Sequence, residues 1–281
     1  MTNKPSREVV KNRRAFFSTQ SYLVFLAGIY LTRFMSYFPE QVFVMIIHVF
    51  HYILFLKRVL ISLVSNPKEF TPKLFTRIVY WYDLSLPIAA RWRRTQTRYI
   101  KWAESPLNEQ YLSYIIKRGG EFAAFVGTYK RLIDAGCGNG QIGGKTCAEI
   151  GYTPLLLGGY VLGIDPLPMK IKPPWVTDYH QAKIEDCGEL IVEGGFDKAI
   201  IVTSLDHFEF PGKALRTLSP CRELCLWETT YKESKLDLYH VHRFTFSQLE
   251  NLLCEAGWGI VEAKKVDEND TSAGWFIRAK A

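Results

Sequence analysis

The fold of this chain is decided by the stretch Arg131-Leu132-Ile133-Asp134-Ala135-Gly136-Cys137-Gly138-Asn139-Gly140. A short apolar run ends in an acid, three alternating glycines follow, and a helix-compatible stretch begins at Gln141. This pattern predicts a β-strand, a tight glycine turn and a helix, which together open a βαβ unit. Glycine lets the backbone approach a ligand closely, and the amino end of a helix offers free N–H groups. The stretch therefore predicts a ligand-binding turn at the carboxyl end of a parallel strand.

The spacing of the glycines separates this turn from a dinucleotide-binding turn. The G-x-G-x-x-G form places its third glycine three positions after the second. Here Gly140 comes two positions after Gly138, and Asp134 precedes the first glycine by two positions. The resulting D-x-G-x-G-x-G form resembles motif I of the class I S-adenosylmethionine-dependent methyltransferases, in their small-molecule branch. The resemblance implies S-adenosyl-L-methionine as the cofactor, with its methionine part bound by Asp134, Gly136, Cys137, Gly138 and Gly140.

The segments after the glycine turn come in the order that this family shows. Residues 160–165 are expected to form a second strand ending in Asp165, and the resemblance implies that this acid binds the ribose diol, for which a carboxylate offers two acceptors. Residues 182–186 stand where relatives carry the loop that meets adenine. Lys183 replaces an acid found in many relatives, so Ile184, Glu185 or Asp186 could supply that contact. Thr203, near the end of the fourth strand, is also assigned to the cofactor site.

The resemblance implies an α/β fold, a Rossmann-like seven-stranded methyltransferase sheet that closes with an antiparallel hairpin and follows an all-helical N-terminal segment. Further strands are expected at residues 196–204 and 222–228. A helix capped by Thr245 or Ser247 should end at Gly257, and residues 259–266 and 274–280 should form the hairpin. The connection from Gly140 to Asp165 is longer than usual. Its extra residues, 152–159, have no role that the sequence assigns.

The catalytic candidates follow the fourth strand. Methyl transfer requires the protein to bring the nucleophile to the methyl group and, for some acceptors, to remove a proton. His207 is the first candidate for that base because the ordinary pKa of imidazole lies near neutrality. Asp206 could orient the substrate or act instead. His240 and His242 alternate, so on an extended segment they would face the same way, and His242 is the third catalytic candidate.

The same side chains raise the question of a metal. Asp206, His207, His240 and His242 could bind zinc or iron, since imidazole and carboxylate suit both metals. Histidines that line a polar pocket or donate to the backbone are commoner, so no metal is predicted. Glu228, at the end of the fifth strand, is either another acid of the pocket or the structural partner of an Arg or Lys.

Charge is distributed unevenly along the chain. The net charge is +7, but residues 1–130 hold 19 of the 35 Lys+Arg and 7 of the 28 Asp+Glu, which leaves 16 against 21 for the remainder. The net charge is therefore +12 for residues 1–130 and −5 for residues 131–281. A basic front half implies that this part of the chain lies near a polyanionic surface, either lipid headgroups or nucleic acid. Six cysteines, without a repeated CxxC pair, indicate reduced thiols in a cytosol-facing domain.

The front half predicts membrane association. Residues 15–64 contain only four charged side chains and leave two uncharged runs, 15–32 and 41–56. Each run is short for a span of about 20 residues. Basic residues flank both outer ends, which places both ends on the cytoplasmic side. We expect a shallow helical hairpin in one leaflet, with a two-pass membrane span or two buried helices as the alternatives. The methyltransferase domain should face the cytoplasm.

These observations predict three segments: 1–66, membrane-associating; 67–128, a helical linker or cap; and 129–281, the methyltransferase domain. Within the second, residues 91–102 suit a basic helix with Trp92, Tyr99 and Trp102 along one side. Such a helix could lie at a membrane interface, track a nucleic acid, or pack on the domain. The function expected is methyl transfer to a small or lipid-soluble acceptor at a membrane surface. An RNA or protein methyltransferase and a non-catalytic protein with this fold are the alternatives. Nucleic acid is not favoured, because no N-P-P-Y type tetrapeptide follows the fourth strand.

Overall fold

A computed structural model describes residues 86–156, 158–232 and 240–281, together with Ile53, Lys57, Tyr82 and Asp83. The chain divides into two compact units, Met1–Leu86 and Pro87–Ala281. The predicted membrane hairpin, residues 15–64, lies outside the described residues except at two isolated positions. The predicted boundary at residue 128 falls inside the second unit. Within the described part of the chain, no helix has both the length and the apolar character that crossing a membrane requires.

The second unit begins with two helices, α1 (Ile88–Glu104) and α2 (Glu109–Val126). The aromatic and basic tract expected to be helical forms most of α1. The helix α2 begins at Asn108, whose side-chain oxygen accepts a hydrogen bond from the backbone N–H of Tyr111 at 2.7 Å. It ends at Gly127, which has a positive φ of 68°.

The remaining chain alternates strands and helices. In chain order the elements are β1 (Arg131–Ala135), β2 (Gln141–Ile142), β3 (Lys145–Thr146), β4 (Tyr160–Asp165), β5 (Asp178–Gln181), α3 (Gly188–Gly194), β6 (Lys198–Val202), α4 (Pro211–Thr217), β7 (Glu223–Tyr231), α5 (Phe246–Glu255), β8 (Gly259–Glu268) and β9 (Ser272–Lys280). Two short 3₁₀ helices, Ile184–Asp186 and Leu205–His207, follow β5 and β6.

Seven of these strands form one sheet in the order β5-β4-β1-β6-β7-β9-β8. The first five are parallel, and β9 pairs antiparallel with both β7 and β8. The predicted fold class, a seven-stranded Rossmann-like methyltransferase sheet with a closing antiparallel hairpin, is therefore confirmed. Parallel strands all present their carboxyl ends at one edge, and ligands of open α/β sheets bind outside that edge.

Helices cover both faces of the sheet, as the apolar sequences of its inner strands require. On one face, α2 buries Phe122 and Val126 against β7 and β9. On the other face, α3, α4 and α5 bury Ile191, Leu215 and Leu249. All five side chains are at most 1% exposed, so the strand ends are held between two packed layers.

The prediction of a helix directly after the glycine turn is wrong. Residues 141–146 form a small antiparallel hairpin, β2–β3, in which Ile142 pairs with Lys145. Its two-residue loop, Gly143–Gly144, has φ values of 62° and 74°, and positive φ at both central residues is what the favoured hairpin turns need. Between β3 and β4 the structure describes every residue except Leu157, and none of those residues is helical. The ligand side of the turn is therefore built from glycine backbone and not from a helix amino end.

Thr245 is the residue that caps α5. Its hydroxyl accepts from the backbone N–H of Gln248 at 3.2 Å, and the Gln248 side chain accepts from the Thr245 N–H at 2.9 Å. Ser247, the other cap considered, lies exposed in the first turn.

We predict that Thr245→Ala lowers the free energy of unfolding by about 1 kcal/mol, because the Gln248 N–H loses its acceptor. Ser247→Ala is the matched control and should leave stability unchanged. Equilibrium denaturation of both variants measures the difference, and equal losses would contradict the assignment of the cap.

Candidate functional site

Two adjoining cavities open at the carboxyl edge of the sheet. The larger has a volume of about 650 Å³ and the smaller about 40 Å³. Four residues line both cavities: Tyr99, Gly136, Thr203 and His207. The cavities therefore share a wall, which stands where β1 and β6 end.

The glycine turn forms part of this wall, and its three glycines have positive φ values of 79°, 72° and 83°. A Cβ on Gly136 would lie 2.4 Å from the Ser204 hydroxyl, and one on Gly140 would lie 1.7 Å from the Ile171 carbonyl oxygen. Gly138 differs, because the nearest atom to its Cβ position is the Tyr99 hydroxyl at 3.9 Å. Packing thus requires glycine at the outer two positions, and the middle one leaves backbone open toward the larger cavity.

Two buried carboxylates stand beside the turn. Asp134 accepts a hydrogen bond from the Trp175 indole N–H at 2.8 Å, and burial raises its pKa to about 7. Asp165 accepts from the backbone N–H groups of Gly138 at 2.8 Å and Leu167 at 2.9 Å. Burial raises the pKa of Asp165 to about 6 although these N–H groups oppose the shift. Asp165 thereby ties the glycine turn to the end of β4.

The smaller cavity lies between α1 and the loop after β5. Asp165, Ile184 and Glu185 line it, and Trp92 covers it from α1. The Lys183 ammonium pairs with the Glu209 carboxylate and lies 4.2 Å from the centre of the Trp92 ring. Lys183 therefore makes an ion pair and a cation–π contact beside this cavity.

Thr203 has a strained backbone at the shared wall. Its φ is 47°, and it is the one non-glycine residue with a positive φ in the described parts of the chain. Its backbone N–H donates to the Trp227 carbonyl at 2.7 Å, which fixes this conformation. Strain of this kind persists where surrounding contacts over-determine it, and it concentrates at functional sites.

Asp206, His207 and His240 form a polar cluster on the wall of the larger cavity. The Nε2 atoms of His207 and His240 each lie 3.6 Å from an Asp206 carboxylate oxygen, one on each oxygen. The two imidazole rings lie 5.1 Å apart. Backbone N–H groups of Val241 and His242 donate to the Asp206 carbonyl at 3.0 and 2.9 Å, so the two segments are joined.

His242 does not belong to this cluster. Its Nε2 lies 3.2 Å from the Glu209 carbonyl oxygen, its ring stacks on Phe244, and burial lowers its pKa. It lines neither cavity. The alternation that placed His240 and His242 on one side assumed an extended strand, but residues 240–242 are irregular. The structure therefore does not bring His242 to the predicted catalytic group.

Glu228, at 1% exposure, is a further buried acid of the larger cavity. Its carboxylate accepts from the N–H groups of Leu205 at 3.1 Å and Thr229 at 2.9 Å, and burial raises its pKa to about 7. Within the described residues, no ion pair with Arg or Lys is found for Glu228, Asp134 or Asp165. Three desolvated carboxylates at one edge favour a ligand that carries positive charge.

The larger cavity also has an aromatic wall that the sequence did not reveal. Its members come from α1, α2, the 152–159 insertion, the loop before β5, and β7: Tyr99, Trp102, Tyr111, Tyr114, Tyr152, Trp175, Trp227 and Tyr231. The one sequence signal was the spacing of aromatics in residues 91–102, which left three interpretations open. In the structure these aromatics pack on the domain, with Tyr99 5.3 Å from the His207 ring. The insertion, through Tyr152 and Leu155, closes the same cavity.

Nine residues predicted to contact the cofactor line one of the two cavities, whereas Asp186, the third candidate for the adenine contact, lines neither and pairs with Lys213. Those at the larger one are Asp134, Gly136, Cys137, Gly138, Gly140 and Thr203, and those at the smaller one are Gly136, Asp165, Ile184, Glu185 and Thr203. The predicted catalytic residues His207 and Asp206 also lie on the wall of the larger cavity.

No family model matches the sequence, and no curated protein is similar to it. Solved structures resemble the fold distantly. Magnesium protoporphyrin IX methyltransferase from Synechocystis PCC 6803 with bound SAM is 15% identical with a TM-score of 0.45, over 69% of this chain and 97% of that one. The N-terminal domain of EvdMO1 with bound SAH is 16% identical with a TM-score of 0.44, over 70% and 98%. A Burkholderia thailandensis 1,6-didemethyltoxoflavin-N1-methyltransferase is 16% identical with a TM-score of 0.40, over 59% and 77%.

Burial of the Asp134 carboxyl group makes the stability of the fold depend on pH. Its pKa in the fold, about 7, lies above the ordinary value of 3.8, so the fold favours the protonated acid. The stability contributed by this protonation is present below about pH 4 and is lost as the pH rises through about 7.

We predict that Asp134→Asn, which keeps an oxygen to accept from Trp175 but carries no charge, loses less stability over this pH range and is more stable than the natural protein at pH 8. Thermal unfolding without ligand from pH 4 to pH 8 measures both effects. Asp270→Asn, in an exposed turn, is the control and should follow the natural protein. Parallel curves for Asp134→Asn and the natural protein would contradict the assignment.

Proposed function

We propose that this chain is a methyltransferase that binds S-adenosyl-L-methionine across the two cavities and transfers its methyl group to a small or amphiphilic acceptor in the larger one. One observation carries the proposal. The nine residues assigned to the cofactor by resemblance all line two cavities that meet at a common wall. A ligand that extends across this wall has its middle beside His207 and Thr203, and the larger cavity gives the acceptor access to it.

The residues present fit the cofactor by their chemistry. The open face of Gly138 and the Asp134 carboxylate suit the methionine part, whose ammonium group a buried acid would attract. Asp165 uses one lone pair of each oxygen for backbone N–H groups and keeps acceptor capacity for the ribose diol. The smaller cavity, at about 40 Å³, has room for water but not for adenosine. The Trp92 or Lys183 side chain must therefore move outward as the cofactor binds.

The reaction assigns distinct tasks to the chain's own residues. The cofactor supplies a methyl group already activated on a sulfonium, so the protein contributes mainly position and proton removal. Tyr99 and Thr203 shape the wall past which the acceptor must reach. Asp206 and His207 stand on the acceptor's side of that wall, where His207 can take a proton from the attacking atom.

The shape of the larger cavity indicates the class of acceptor. Its volume of about 650 Å³ lies in the usual range for small-molecule sites. Eight aromatic side chains line it, and Asp206, His207 and His240 form a polar cluster on its wall. Flat aromatic walls pack best against planar or apolar molecules. We therefore assign the acceptor to compounds with an apolar body and one nucleophilic polar end.

Such an acceptor dissolves in a bilayer, which connects the site to the front half of the chain. The uncharged runs within residues 15–64 and their basic flanks support membrane association with the domain on the cytoplasmic side. On α1, Arg93, Arg94 and Lys101 are exposed, whereas Tyr99 of the same helix lines the cavity. Cations on the outer side of this helix suit an anionic headgroup surface.

We predict that Asp165→Ala weakens binding of S-adenosylmethionine at least about tenfold, because hydrogen bonds to a charged acceptor are lost. Isothermal titration of the purified full chain in mild detergent measures the change. Asp178→Ala replaces an exposed acid at the opposite end of the neighbouring strand and should leave the affinity unchanged. Equal affinities of the two variants would overturn the ribose assignment. Absence of any binding to the folded natural protein would favour a non-catalytic protein of this fold.

We predict that the full chain sediments with phosphatidylserine-containing vesicles, and that Arg93→Glu with Lys101→Glu weakens this binding about tenfold or more at physiological salt. Lys264→Glu with Lys280→Glu, on β8 and β9, makes the same change of charge elsewhere and should have a smaller effect. Failure of the natural protein to bind vesicles of any composition would contradict the membrane proposal and leave the methyltransferase proposal intact.

A further inference from the structure

We propose that Asp206, His207 and His240 bind one divalent metal ion of the zinc or iron(II) class on the wall of the larger cavity. Binding of the ion follows from the geometry of these three side chains. Its part in methyl transfer rests on the proposed function.

The donor atoms of the three side chains converge on one region of the cavity wall. The imidazole Nε2 atoms of His207 and His240 lie 3.6 Å from the two Asp206 oxygens, and one potential ligand atom from each residue can be chosen so that all three lie within 4.8 Å of one another. Zinc binds nitrogen and oxygen at about 2.1 Å, so neighbouring ligand atoms stand roughly 3.0 to 3.4 Å apart in octahedral or tetrahedral geometry. The widest allowed separation, 4.8 Å, exceeds this spacing by about 1.4 Å, so rotations of the histidine side chains must bring the ligand atoms together as the ion binds.

The cluster is held in place by the backbone. The Asp206 carbonyl accepts the N–H groups of Val241 and His242, which joins the segment bearing His240 to the 3₁₀ helix bearing the other two ligands. The Gln96 side-chain amide donates to the His207 carbonyl at 3.2 Å, which adds α1 to the same framework. Three rigid connections around one group are the support that a functional site requires.

The donor set and its exposure point to an ion with an open coordination position. Two imidazoles and one carboxylate match zinc and non-haem iron sites, and catalytic sites of this kind keep a place for a water or a substrate. The Asp206 side chain is 4% exposed, but the two histidine side chains are 14% and 25% exposed and line the cavity. Among the described residues, no other group of three His, Cys, Asp or Glu side chains is placed to hold an ion.

The ion changes what these residues do in the reaction. An acceptor hydroxyl or enol would occupy the open position through its oxygen, and the ion would lower the pKa of its O–H. The proton leaves to water, and the oxygen lone pair then forms the bond to the methyl carbon. The carbon–sulfur bond breaks with its electron pair remaining on sulfur. His207 is then a ligand and not the base, and the acceptor is narrowed to an oxygen nucleophile.

The test uses the full chain after treatment with a chelator, with Cys254→Ser as background because this exposed thiol could bind metal itself. Titration with zinc chloride should show one ion per chain, and cobalt(II) should give visible d–d bands. His240→Ala and Asp206→Asn should each weaken zinc binding at least about tenfold. His180→Ala, on exposed β5 outside both cavities, should bind as the background protein does.

Circular dichroism and thermal unfolding show whether each variant is folded, and His240→Gln is the second variant if His240→Ala is not. Absence of zinc binding, or equal zinc affinity of the His240 and His180 variants, overturns the metal site. If the protein binds S-adenosylmethionine but no zinc, the metal site is refuted and the proposed function stands. If it binds zinc but no S-adenosylmethionine, the proposed function is refuted and the metal site stands.

Discussion

The site depends on the hydrogen bonds of the Asp165 carboxylate. One oxygen accepts the Gly138 N–H from the turn after β1, and the other accepts the Leu167 N–H just beyond β4. Backbone hydrogen bonds also join the two segments: the Gly136 N–H donates to the Ile164 carbonyl, and the N–H groups of Lys170 and Ile171 donate to the Asn139 carbonyl. Asp165 adds the side-chain connection at Gly138, so the open glycine backbone stands at a fixed place above the sheet.

The same arrangement has a cost in stability that the proposed ligand would offset. Asp134, Asp165 and Glu228 are at most 6% exposed, and burial raises the pKa of each. Their hydrogen bonds come from neutral N–H groups, which compensate only part of the lost hydration of a charge. A ligand that brings an ammonium and a sulfonium supplies positive charge near this edge. The buried carboxylates and the wall that the two cavities share therefore both favour the proposed ligand.

Local patterns predicted the parts of the site that consecutive residues build. The D-x-G-x-G-x-G turn and the acid ending β4 needed no long-range information. Apolar runs located six of the seven strands, and the resemblance to the methyltransferase family supplied the arrangement of the sheet; β5 (Asp178–Gln181) was not located. The helix after Gly140 was predicted wrongly because the Gly143–Gly144 pair, which turns a hairpin, was not recognised as a helix breaker. His242 was misplaced because an alternating pattern indicates a common face only on a regular strand.

The aromatic wall of the larger cavity could not be predicted from the sequence. Tyr99, Tyr111 and Tyr152 come from α1, α2 and the insertion, and they meet only because the helices pack beside the end of the sheet. The spacing in α1 revealed an aromatic stripe but not what it faces. Likewise Asp206 and His240 are more than thirty residues apart, and backbone hydrogen bonds bring them together.

A crystal structure of the full chain with S-adenosylhomocysteine tests most directly whether the two cavities form one site. We predict density that crosses the wall formed by Tyr99, Gly136, Thr203 and His207, with the ribose at Asp165 and the Trp92 or Lys183 side chain displaced. Density on one side of that wall only, or elsewhere on the molecule, would contradict the claim that the two cavities form one methyl-transfer site.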